Sequence, residues 1–127
     1  MGYQNAIRGA LQMANVQPGA IKLVKTHGTR TASNNLAEKT ALLSTLDSFI
    51  ATSYKQHIGH TVASSGLLET CLLLDDIRNG PVPAIKNRTE EDKVFLSEPA
   101  YAPDGLMLSL AAGMGNIYAA AIFDYRI

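Results

Sequence analysis

The 127-residue sequence predicts an α/β domain, a mixed β-sheet with helices packed on it. Apolar residues recur at helical spacing in three segments, and short β-rich runs fall between those segments. Near the C-terminus two longer apolar runs flank a glycine-rich turn, the signature of an antiparallel hairpin.

Taken in order, Tyr3 to Asn15 is a helix, with Ile7, Ala10, Leu11 and Ala14 on one face and the loop signal Gln17-Pro18-Gly19 after it. Ile21 to Val24 is a buried strand that delivers His27 to a loop. Ser33 or Asn34 is positioned to cap a second helix running through Leu36, Ala37, Thr40, Ala41 and Leu43, because short polar side chains satisfy the open amides of a first turn. Leu46 to Thr52 reads as the next strand. A polar loop follows, and then an apolar helix from about Thr61 to Arg78, stopped by Asn79-Gly80-Pro81. Val82 to Ile85 and Val94 to Leu96 are short extended candidates. Leu106 to Ala112 and Ile117 to Phe123 form the hairpin around Gly113-Met114-Gly115-Asn116.

Composition sets bounds on function. Apolar residues make up 46% and charged residues 17%, so the chain is rich enough in apolar surface to fold as one domain. Eleven basic and eleven acidic residues cancel, which argues against an electrostatic grip on nucleic acid or on an anionic membrane. Neither a secretory leader nor a run of ~18 apolar residues is present, so a soluble, cytoplasmic protein is expected. The single cysteine, Cys71, excludes an internal disulfide; in its leucine-rich run it is expected to be a small buried hydrophobe. No metal or other cofactor is expected, since His57 and His60 lack the cysteines or helical carboxylates of a zinc motif.

Chemistry concentrates in three places: His27-Gly28-Thr29-Arg30-Thr31, Lys55 with Gly59-His60-Thr61, and the turn at Gly113 to Asn116. Each follows or joins a predicted strand, and ligands in open α/β sheets gather beyond strand ends. A histidine on its own is more often a packed or capping residue than a catalyst, and Lys55 with Glu38, taken alone, is more readily an ordinary surface ion pair.

In combination these motifs, over Tyr3 to Tyr125, resemble the second half of β-ketoacyl synthases in order and spacing. His27-Gly28-Thr29-Arg30-Thr31 is similar to the family's first catalytic-histidine motif, whose fourth position varies between two threonines. Glu38 stands at the family's glutamate in the following helix. Ser53-Tyr54-Lys55 through Gly59-His60-Thr61 resembles the second motif, with its lysine and second catalytic histidine. Gly113-Met114-Gly115-Asn116 occupies the place of the glycine-rich loop.

The resemblance implies a thiolase-like fold, with residues 1–127 as its C-terminal domain and incomplete on the N-terminal side. It implies an acyltransferase performing decarboxylative Claisen condensation of an acyl thioester with malonyl-acyl carrier protein, in fatty acid or polyketide synthesis. His27 and His60 would face the malonyl thioester and stabilise the developing oxyanion, while Lys55 would pair with Glu38 and set the charge beside His27. Thr29, Thr31, Gly113, Met114 and Gly115 would line the substrate site. Implied partners are the carrier protein, the cysteine-bearing N-terminal half or a ketosynthase subunit, and a second copy in a homodimer.

Three departures from the family pattern stand out: Asn35 where a carboxylate is usual, Met114 where a phenylalanine gates the acyl pocket, and Ala63-Ser64-Ser65-Gly66 where smaller alanine and glycine residues are preferred. The family's nucleophilic cysteine belongs to the upstream half, and Cys71 is in the wrong motif to replace it, so the chain alone is expected to be inactive. A missing first strand would also leave a sheet edge seeking a partner. The alternative reading is a non-catalytic subunit of the chain-length-factor type, which shapes a partner's acyl pocket; Asn35 and Met114 point toward it, and the retained His27, Lys55 and His60 point away.

Overall fold

The computed structural model describes residues 2–28, 32–53, 65–83, 96, 98–113 and 117–125. Helix α1 (Gly2–Ala14) buries Tyr3, Ile7 and Leu11, one residue per turn on a single face. Its C-terminus closes as a Schellman motif. Asn15 takes the left-handed conformation at φ 55°, the Asn15 amide donates to the Gln12 carbonyl, and the Val16 amide donates to that of Leu11. A 3₁₀ turn, Pro18–Ala20, with proline at its start, leads into strand β1 (Ile21–Lys25).

Helix α2 (Ala32–Thr45) begins ahead of Ser33 and Asn34, so neither is its cap. Among its described side chains Glu38, Ala41, Leu42 and Thr45 are buried, spaced as one helical face. The strand expected from Leu46 is shorter, because the Leu46 amide still donates to the Leu42 carbonyl and its side chain enters the core as the helix ends. Strand β2 covers only Ile50–Thr52.

Helix α3 (Ser65–Asn79) turns Glu69, Thr70 and Leu73 inward. At about 100° per residue Cys71 falls roughly 150° from the centre of that face. It is exposed, so the expectation of a buried cysteine is wrong. The leucine run misled because a helix that meets the sheet on one side needs only part of an apolar run inside. The stop at Asn79-Gly80 is as expected, with the Gly80 amide donating to the Asp76 carbonyl. Of the two short extended candidates, Val82 forms an antiparallel bridge with Ala100 and the Leu96 amide donates to the Ala51 carbonyl; Ala84, Ile85, Val94 and Phe95 lie outside the described residues.

Strands β3 (Leu106–Gly113) and β4 (Ile117–Asp124) are the expected antiparallel hairpin. The sheet runs β2-β1-β3-β4, with β1 parallel to both β2 and β3, so it is mixed. α1 and α2 cover one face, where Val24, Leu42, Leu108 and Leu110 are wholly buried. α3 covers the other, where its Leu73 packs with Leu23 and Met107. Ile21 and Leu23 fall into different cores despite their even spacing because the β1–β3 register shifts between them. The outcome is the α/β class read from the sequence, a mixed sheet between helices.

Candidate active site

Parallel pairing brings the ends of β1 and β2 to the same edge of the sheet. Lys25 pairs with Thr52, the Thr26 amide donates to the Thr52 carbonyl at 3.0 Å, and the next residue on β1's path is His27. This residue is only 7% exposed. The chain can turn there because Gly28 has φ 61°, a conformation that costs an L-residue about 1–2 kcal/mol. A Cβ at Gly28 would also overlap the hydroxyl of Ser53 and come within 3.0 Å of Thr26 Oγ1.

Glu38 reaches the same loop from α2. One carboxylate oxygen accepts the His27 amide at 2.6 Å and the other accepts the Gly28 amide at 2.8 Å. The ionised form, an acceptor on both oxygens, suits this grip. Glu38 is itself buried, so the contact is shielded from water.

The ring of His27 is held from a third direction. The Ala112 backbone amide, near the end of β3, donates to His27 Nδ1 at 3.2 Å. Only an unprotonated nitrogen can accept, so the ring is the neutral tautomer with its proton on Nε2. Such a ring is a hydrogen-bond donor at Nε2 without carrying charge, which suits stabilisation of an oxyanion.

Behind His27 lies a buried polar layer that the sequence reading did not anticipate. Lys25 Nζ meets Glu69 Oε1 at 3.1 Å, with both side chains wholly buried, and Thr70 Oγ1 lies 2.8 Å from Ser109 Oγ. Among the described residues Ser53 Oγ, buried against the loop, meets no hydrogen-bond partner.

Of the residues singled out in the sequence, His27 and Glu38 come together, and Gly113 ends β3 immediately after the residue that holds His27. Thr29, Thr31, Lys55, His60, Met114 and Gly115 lie outside the described residues, as does the pairing of Lys55 with Glu38. Ala112 was missed because it contributes only its backbone. Among the described residues no three His, Cys, Asp or Glu side chains group as a metal site, and no helix is long and apolar enough to cross a membrane.

Comparison with known proteins places this geometry. Residues 1–89 match the family model described as the β-ketoacyl synthase C-terminal domain. Erythronolide synthase EryA2 of Saccharopolyspora erythraea is 34% identical over 88 residues, which are 64% of this chain and 2% of that protein. The oxytetracycline polyketide putative β-ketoacyl synthase 1 of Streptomyces rimosus is 29% identical over 126 residues, 92% of this chain and 30% of that protein. The chain thus spans a minor part of these relatives. Among solved structures, the ketosynthase from module 1 of the bacillaene synthase of Bacillus amyloliquefaciens superposes with a TM-score of 0.84 at 19% identity, over 96% of this chain and 25% of that one. A type II polyketide ketosynthase solved with its acyl-carrier protein and bound to the hexaketide gives 0.74 at 24% identity, over 94% of this chain and 32% of that one. Sequence and fold agree, and the chain belongs to the β-ketoacyl synthase family, as its C-terminal domain.

Proposed function

We propose that residues 1–127 form the C-terminal domain of a condensing enzyme and supply the histidine side of its active site. The reaction is decarboxylative Claisen condensation: a malonyl thioester on acyl carrier protein loses CO₂, and the resulting enolate carbon attacks an acyl thioester carried on a cysteine. The carbon–carbon bond forms as the carbon–sulfur bond breaks and the cysteine thiolate leaves. During decarboxylation charge builds on the thioester oxygen, where a neutral donor such as His27 Nε2–H, with His60 in the role of second donor, lowers the barrier. Lys55 and Glu38 fix the charge and the backbone around His27, and Thr29, Thr31, Gly113, Met114 and Gly115 line the path of the substrate. The nucleophilic cysteine comes from the other half of the synthase, and the working unit is a dimer served by the carrier protein.

The observation that carries this reading is the donation from Ala112 N to His27 Nδ1, which leaves the proton on Nε2. A subunit that only shapes a partner's pocket has no use for a histidine locked in one tautomer. The test is His27→Ala in the enzyme that contains both these residues and the nucleophilic cysteine, with acylation and condensation measured separately. Acylation of the cysteine continues, and condensation falls by about 10²-fold or more. Condensation at the wild-type rate would overturn the assignment.

A further inference from the structure

We propose that the Lys25–Glu69 ion pair is a positioning device for His27, setting β1, β3 and α3 in the one register that brings the Ala112 amide to Nδ1. This deepens the proposed function and rests on it.

Three facts about placement carry the inference. Lys25 is the last residue of β1 and stands two before His27. On one side it pairs with Thr52 of β2 and on the other with Ser109 of β3. Above that row α3 contributes adjacent residues to different strands: Glu69 binds Lys25 of β1 at 3.1 Å, and Thr70 meets Ser109 of β3 at 2.8 Å. One turn of one helix therefore grips both strands in the last paired row before the site.

The composition of this layer is informative. A wholly buried ion pair contributes little stability beyond what two well-packed apolar side chains would give, because both charges are desolvated. What it contributes is direction. An apolar pair tolerates sliding, whereas an ammonium and a carboxylate in contact do not. A slip of β3 against β1 by one residue, about 3.3 Å, would carry the Ala112 amide out of reach of Nδ1. Ser109 and Ala112 are three residues apart on one strand, so the row that holds the first also sets the second.

The experiment compares the Lys25→Met/Glu69→Leu double variant and the reversed Lys25→Glu/Glu69→Lys variant in the complete synthase, with His27→Ala alongside. The double variant removes both charges at similar volume and leaves neither unpaired. It is expected to fold and to acylate its cysteine normally. Its kcat for condensation falls about 10- to 100-fold while KM for the malonyl thioester stays within about twofold. The ¹⁵N signals of His27 lose the pattern of a ring protonated at Nε2 alone. The reversed pair recovers most of the kcat.

A folded double variant with wild-type kcat and an unchanged His27 signature overturns the proposal. Failure of both variants to fold also overturns it, since the pair is then a folding requirement. If His27→Ala itself condenses at the wild-type rate, the reading of the site falls instead. If His27→Ala is inactive and the double variant is normal, only the positioning role falls.

Discussion

Glu38→Gln tests whether a carboxylate holds the first histidine loop by its backbone. In the native protein the two oxygens accept the His27 and Gly28 amides at 2.6 and 2.8 Å. The amide side chain has the same shape but only one acceptor. One bond survives in weaker, uncharged form, and the other backbone N–H faces an NH₂ group, donor against donor. A hydrogen bond to a charged group contributes about 1.5–3 kcal/mol, and a buried donor left without a partner costs about 1–3 kcal/mol. Holding the loop closed should therefore become harder by about 2–3 kcal/mol. At 1.36 kcal/mol per factor of ten this is about 30- to 160-fold in the opening equilibrium.

Native-state hydrogen exchange reads that quantity at the two amides concerned. Protection of His27 and Gly28 should fall by this factor, while core amides such as Leu23 and Val24 of β1, both wholly buried, change less. Glu38→Asp is a useful companion, because a side chain one methylene shorter cannot bridge both amides from the same helix position. Unchanged protection at His27 and Gly28 in a folded Glu38→Gln protein would refute the reasoning, and Glu38 would then be only a buried charge near the loop. Uniform loss across the sheet would mean that Glu38 supports the fold as a whole and not the loop.

Other substitutions probe the same neighbourhood. Gly28→Ala must adopt φ 61° and displace Ser53; a loss of about 1–2 kcal/mol from the backbone alone, with steric strain added, should lower the urea midpoint, and a midpoint equal to wild type contradicts the geometry. Ser53→Ala removes a buried hydroxyl that makes no hydrogen bond among the described residues, so it should leave thermal stability unchanged or raise it by up to about 1 kcal/mol, and a clear fall would reveal a partner outside them. In the 127-residue chain Cys71 is exposed, and N-ethylmaleimide should modify it under native conditions as fast as in urea; strong native protection would return it to the core.

Much of the architecture was legible because its cause is local. The α1 face at Ile7 and Leu11, the apolar β1 run and the hairpin around Gly113 each follow from periodicity and turn chemistry within a dozen residues. The errors occur where a neighbour decides. Leu46 looks like the start of a strand but is the last residue drawn in by α2, and Cys71 sits in a leucine run whose inward face depends on how α3 meets the sheet. The site divides in the same way. His27 at a strand end was visible from the residues, and Glu38 acquired meaning from the family's motif spacing. Lys25 was not visible at all, since a lysine within an apolar strand reads as its solvated end until Glu69, 44 positions away, lies against it.

Ala112 could not be found from sequence because its role follows from an inequality of strand lengths. The pairing of β1 with β3 stops at Lys25 and Ser109, whereas β3 stays paired with β4 as far as Gly113 and Ile117. Beyond Ser109, then, among the described residues, β3 has a neighbour on the β4 side and no strand backbone on the β1 side. Backbone donors in an antiparallel ladder face alternately toward and away from their partner, and the Ala112 amide points to the side that β1 has vacated. A partly buried N–H without an acceptor is costly. The imidazole of His27 fills that place, taking at Nδ1 the bond a carbonyl of a longer β1 would have accepted. The sheet thus sets the tautomer of the ring, and rotating the ring away would leave the amide without its acceptor. The rigidity of His27 is therefore a property of where two strands end.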